Sequence, residues 1–109
     1  MIKQWADSFN SGSPEAVAGL YGVAGVLVPT LDSDVLASPE SILSYMKNLV
    51  GEQQATVEMR DYLSEEHLGS LIENGFYVFS LPEGRPIEAR FTMISQGGKV
   101  IAHHSSLVP

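Results

Sequence analysis

The stretch Ile101-Ala102-His103-His104-Ser105-Ser106-Leu107-Val108-Pro109 holds two histidines and two serines in a row. On a β-strand, side chains alternate between the two faces. His103 and Ser105 therefore share one face with Ile101 and Leu107, while His104 and Ser106 share the other with Val100 and Ala102. Each face carries one imidazole, which titrates near pH 6.5 when unperturbed, and one hydroxyl two positions away. Such a pair suits proton transfer and the binding of a small polar ligand. The alternation leaves open which pair lines a cavity. A plain structural role is the competing reading, because a histidine in an apolar strand often donates one hydrogen bond into a core.

Four further side chains could complete such a site. Thr30 follows Pro29 at the end of an apolar stretch. Tyr45 lies in a helical pattern beside Met46. Tyr77 alternates with Phe76 and Val78, and Arg90 opposes Ala89 and Phe91. A turn hydroxyl, core phenols and a solvated arginine are their structural alternatives. Metal chemistry has little support. Adjacent histidines on a strand point apart, and His67, the remaining one, follows Glu65-Glu66 in a stretch that reads as a solvated loop. No metal or other cofactor is expected. A serine hydrolase is equally unsupported, for there is no Gly-x-Ser-x-Gly turn.

These residues need a scaffold. Ile2, Trp5, Ala6 and Phe9 recur at helical spacing over 2–10. Ser13-Pro14-Glu15 is a helix start, with a capping hydroxyl, proline in the first turn and an early negative charge. Ala16, Val17, Leu20 and Tyr21 then give an apolar face, ending at Gly22. Val23–Val28 reads as a strand. Ser38-Pro39-Glu40 repeats the start signal for a third helix carrying Ile42, Leu43, Met46 and Leu49, closed by Gly51. Thereafter the period falls to two. Ala55, Val57 and Met59 alternate, and strands are expected over 68–81, 89–94 and 100–107. Glu83-Gly84 and Gly97-Gly98 suit hairpin turns, and Asn74-Gly75 suits a turn or a bulge.

Helices followed by a run of strands predict an α+β fold, with the N-terminal helices packed on a curved antiparallel sheet that forms a cone. At 109 residues one domain over 1–109 is expected, and homodimerisation is a common supplement to a core of that size. The 13 acidic residues outnumber the six basic ones, and no basic run tracks a phosphate backbone. Nucleic acid and anionic membrane surfaces are therefore not expected as partners. The sequence has no cysteine, which removes disulfides and thiol nucleophiles. With no transmembrane-length apolar run and no secretion signal, a cytoplasmic location is the expectation.

The runs "VLVPTL" (26–31), "ILSYM" (42–46), "NGFYVFS" (74–80), "EARFTM" (88–93) and "IAHHSSLVP" (101–109) resemble, in that order, the SnoaL-like proteins related to the calcium/calmodulin-dependent protein kinase II association domain. Within that group the sequence looks most like the iota-class carbonic anhydrases and their uncharacterised bacterial relatives. The resemblance implies a cystatin-like cone, as in nuclear transport factor 2 and ketosteroid isomerase. It also implies a metal-independent bicarbonate pocket on Thr30, Tyr45, His103 and Ser105, with His104 and Ser106 as the alternative pair. Two positions depart from the pattern. Met46 stands where an aromatic residue is usual, and Gly98-Lys99-Val100 occupies the place of a tryptophan. Arg90 and Tyr77 are added as ligand-binding candidates, Arg90 for an anion if it faces the cavity. The expected function is binding of a small molecule or bicarbonate-like anion, with carbonic anhydrase activity as its sharpest form. The alternatives are a non-catalytic association domain, or an isomerase or cyclase acting on a larger hydrophobic ligand. Asp32, Asp34 and Asp61 are not convincingly placed as the base of an isomerase.

Overall fold

A computed structural model describes residues 1–109. Helices α1 (Ile2–Asn10), α2 (Pro14–Ala18) and α3 (Pro39–Met46) pack on a curved sheet. The strands are β1 (Tyr21–Val28), β2 (Thr56–His67), β3 (Ser70–Ser80), β4 (Ile87–Gln96) and β5 (Lys99–Leu107), in the spatial order β1-β5-β4-β3-β2. The α+β cone expected from the sequence is thus the observed architecture.

The helix-start signals work as their chemistry dictates. Ser13 Oγ accepts from the Ala16 amide at 3.2 Å. Ser38 and Ser41 form a reciprocal capping box, each side chain bonding the other's amide. Beyond Met46 the third helix relaxes into a π-helical turn over Lys47–Glu52. Helix α1 buries Ile2, Trp5, Ala6 and Phe9. Trp5 stacks on Tyr77 and Phe9 tilts against Phe79, so this face fills the concave side of the sheet. Both ends of α1 are tied down. The Ile2 amide donates to the buried Glu73 carboxylate at 2.9 Å. At the other end, the Asn10 side chain exchanges two hydrogen bonds with the Val57 backbone, occupying groups of the edge strand β2.

Three expectations need correction. The sheet is mixed, because β1 joins the antiparallel β2–β5 meander by pairing parallel to β5. That pairing is a long-range choice and leaves no mark in local periodicity. Helix α2 stops at Ala18, with Gly19 as its cap, so Tyr21 and Gly22 belong to β1. Strand β1 bulges between Tyr21 and Val26. Gly25 lies within that bulge, where a Cβ would come 2.8 Å from the Val100 carbonyl oxygen. Glu65, Glu66 and His67 are the end of β2, not a loop. The hairpin turn there is Leu68-Gly69, and β3 starts after it. Asn74-Gly75 lies inside continuous β3, opposite a bulge between Met59 and Tyr62 of β2. Gly97-Gly98, by contrast, makes the expected two-residue turn, with φ of 58° and 78°.

A hydroxyl and imidazole cluster on the concave face

Strand β5 separates the two His-Ser pairs. His103 and Ser105 point into the protein, 3% and 5% exposed, while His104 lies exposed on the opposite face with Ser106. Pairing to β4 sets what surrounds each. His103 faces Met93 and Ser105 faces Phe91, both core residues. Arg90 lies across from Ser106 and Thr92 across from His104.

The interior pair is held in a hydrogen-bonded cluster. His103 Nδ1 lies 2.7 Å from the Tyr21 hydroxyl, and Nε2 lies 3.1 Å from the Tyr77 hydroxyl. Tyr77 donates to Ser105 Oγ at 2.6 Å, and Ser105 Oγ bonds to Thr30 Oγ1. The Trp5 indole donates to the Tyr21 hydroxyl at 3.1 Å. The Trp5 ring also meets His103 edge-on, with centroids 5.2 Å apart. No buried side-chain nitrogen or oxygen lacks a partner. Such satisfaction matters because an orphaned polar group inside a core costs about 1–3 kcal/mol.

Burial controls the acid–base character of this cluster. It lowers the His103 pKa to about 3, with His104 adding a smaller push in the same direction. His103 is therefore a neutral imidazole at physiological pH. Burial raises the pKa of Tyr21 and Tyr77, so both stay protonated. Tyr45 is pushed up to about 12, first by burial and then by the charge of Asp32. The cluster is uncharged, and its currency is hydrogen bonds.

The pocket over this cluster is lined by Thr30, Tyr45, Tyr77, His103 and Ser105 on its polar side, and by Trp5, Phe9, Leu27 and Phe79 among others on its apolar side. It encloses about 10 Å³, which is room for about one water. Of the residues singled out in the sequence, Thr30, Tyr45, Tyr77, His103 and Ser105 converge here. Arg90, His104 and Ser106 do not. They line a shallow concavity of about 450 Å³ on the opposite face, with Asn74, Phe76 and Thr92. There Arg90 Nε donates to Ser106 Oγ at 3.3 Å. Arg90 therefore cannot hold an anion in the interior pocket, which offers no cation. Tyr21 and Trp5 were not foreseen as site residues. Tyr21 carried a helical signal, and Trp5 read only as core. No group of three or more His, Asp or Glu side chains is placed to hold a metal ion. Both His103 nitrogens are already engaged by tyrosines.

Neither a protein-family model nor a curated protein matches the sequence. Solved structures do. One from Xanthomonas campestris, described as a candidate calcium/calmodulin dependent protein kinase II association domain, superimposes with a TM-score of 0.87 at 29% identity, over 99% of this chain and 83% of that one. A Caulobacter vibrioides protein with a cystatin-like fold gives 0.80 at 16% identity, over 99% and 84%. A nuclear transport factor 2-like protein of unknown function from Pseudomonas putida gives 0.81 at 14% identity, over 96% and 80%. The latter two carry the fold alone. The ordered motifs, the cone and the Xanthomonas likeness agree: the chain has the cystatin-like, nuclear transport factor 2-like fold and is similar to the calcium/calmodulin dependent protein kinase II association-domain proteins.

Proposed function

We propose that the concave pocket binds a small polar molecule of the size of carbon dioxide or bicarbonate, with Thr30, Tyr45 and Ser105 as the contacting groups. One observation carries this reading. A chain of polar groups crosses an otherwise apolar core and ends on the Thr30 and Ser105 hydroxyls at the pocket wall. Buried polar groups have a desolvation cost that a purely structural core can avoid. The half-buried Tyr45 closes the pocket on the side of Asp32. The enclosed space suits about one water, so a larger ligand requires the pocket to widen.

In this reading His103 orients Tyr77 and is not the proton acceptor. Its low basicity and its two tyrosine partners both argue for that role. Hydration of carbon dioxide would then join the water oxygen to carbon in contact with the hydroxyls, and the released proton would pass to solvent. Stopped-flow hydration with and without chelator tests the carbonic anhydrase form. The expected result is a rate above the buffer background, unchanged by chelator and reduced at least tenfold in Ser105→Ala. Loss of the rate on chelation, or full activity in Ser105→Ala, overturns it. No rate above background confines the site to binding.

A second reading is association of two copies through the outer face of the sheet. Phe76, 48% exposed beside Arg90 and His104, favours it, as does the description of the Xanthomonas protein. Sedimentation at neutral pH separates monomer from dimer.

A further inference from the structure

We infer that Trp5 and Tyr21 are positioning residues that fix the direction of the hydrogen-bond chain as far as Ser105, so that the pocket presents a donor and favours ligands whose facing atoms are acceptors. The inference deepens the small-ligand reading above and rests on it for the ligand. The role of Trp5 and Tyr21 stands on geometry alone.

The chain runs Trp5, Tyr21, His103, Tyr77, Ser105, Thr30. Every member except Trp5 can reverse its role. An imidazole exchanges tautomers, and a hydroxyl both donates and accepts. The indole N–H only donates, so Tyr21 must accept there. The buried Tyr21 hydroxyl then has one hydrogen to place, and His103 Nδ1 is its one other partner. Nδ1 must therefore carry the lone pair. In a neutral imidazole that puts the hydrogen on Nε2, which donates to the Tyr77 oxygen. Tyr77 spends its own hydrogen on Ser105. Either Ser105 donates to Thr30 or the reverse, since Ser105 keeps a lone pair after accepting from Tyr77. Both hydroxyls line the pocket and have no further partner, so in each case one hydrogen is left to face it. The direction set at the blind end by Trp5 thus emerges at the ligand end as a donor.

The alternative direction fails at one identifiable place. With the hydrogen on Nδ1, the Tyr21 oxygen would accept twice and its own hydrogen would be stranded in the core. A doubly protonated His103 strands the same hydrogen. The chemical class follows: a carbonyl, carboxylate or bicarbonate oxygen meets the free hydrogen and is preferred, and an ammonium or other donor-only group, left with the remaining hydroxyl lone pairs, is disfavoured. Tyr21 achieves this without lining the pocket.

Nitrogen-15 NMR of the histidine side chains in the intact protein tests the positioning role. The expected result is His103 protonated at Nε2 and bare at Nδ1, from pH 5 to pH 8. In Tyr21→Phe the Nδ1–H form should rise to a comparable population, and Trp5→Phe should shift it in the same direction. Because Trp5→Phe disturbs a large core ring, Tyr21→Phe is the deciding variant. A wild-type protein in the Nδ1–H form overturns the inference, as does an unchanged tautomer in a folded Tyr21→Phe. The ligand class is tested by titrating formate, bicarbonate and methylammonium against the wild type. Formate or bicarbonate should bind at least tenfold more tightly than methylammonium, and Tyr21→Phe should narrow that ratio. Equal binding of methylammonium overturns the selection rule. If none of the three binds, the small-ligand reading fails, while the tautomer still decides the roles of Trp5 and Tyr21.

Discussion

The Tyr21 hydroxyl lies 2.7 Å from His103 Nδ1, although 82 positions separate the two residues in the sequence. That contact exists because β1 and β5 are parallel neighbours, with Tyr21 on the buried face of β1 and His103 on the buried face of β5. Burial, and to a smaller extent His104, keeps this imidazole neutral, and the Tyr21 contact ties it into the core.

Acid stability should report this directly. His103 is held at a pKa of about 3 when folded, against 6.5 for a free histidine. Below pH 6.5 the unfolded chain binds a proton that the folded chain refuses. Stability is therefore complete above pH 6.5 and falls as pH drops toward 3, by up to about 1.4 kcal/mol per pH unit for this one group. Urea unfolding from pH 8 to pH 4 should show a steeper decline in the wild type than in His103→Gln. Equal slopes contradict the assignment.

Tyr77 bridges His103 and Ser105. Tyr77→Phe keeps the ring stacked between Trp5 and Phe91 but removes the bridge. The His103 Nε2–H loses its acceptor and Ser105 loses its donor. The variant should unfold about 1–3 kcal/mol more easily. A loss below about 0.5 kcal/mol would mean that the bridge is already made by solvent.

Glu73 is a buried carboxylate, 3% exposed, in the middle of β3. It accepts from the Ile2 amide at 2.9 Å and from Ser64 Oγ at 2.8 Å, with the Met1 amino group 3.4 Å away. Glu73→Ala should cost about 3 kcal/mol, since it strands these donors. Amide exchange should show α1 opening before the sheet does. Uniform loosening of all strands would contradict a local anchor.

Leu68 occupies a left-handed conformation, φ 51°, in the β2–β3 turn, with its side chain 90% exposed. The side chain therefore offers little burial to offset the backbone strain, which is about 1–2 kcal/mol for an ordinary L-residue. Leu68→Asn should raise stability by about 0.5–1 kcal/mol, read from the melting temperature, because asparagine suits the first place of this turn. A lower melting temperature would contradict the strain argument.

The sequence disclosed the parts of the site governed by local periodicity. Alternation alone separated His103-Ser105 from His104-Ser106, and the two Ser-Pro-Glu signals marked α2 and α3 at their first residues. Burial then decides which pair is inside, and burial depends on which face α1 covers. Tyr21 escaped because four helix-compatible apolar residues, Ala16 to Tyr21, overlap the start of β1. Arg90 was ambiguous for the opposite reason. Its face relative to Ala89 and Phe91 was clear, but the side of the sheet that carries the pocket is set by distant packing. Leu68 gave no turn signal, since leucine is a poor choice for a positive φ.

Nitrogen-15 and carbon-13 NMR titration with bicarbonate at neutral pH tests the central claim most directly. The account predicts saturable shifts at Thr30, Tyr45 and Ser105 with a response at the Trp5 indole, and their loss in Ser105→Ala. Shifts confined to Arg90, His104 and Ser106 on the outer face, or no saturable shift at all, would contradict it.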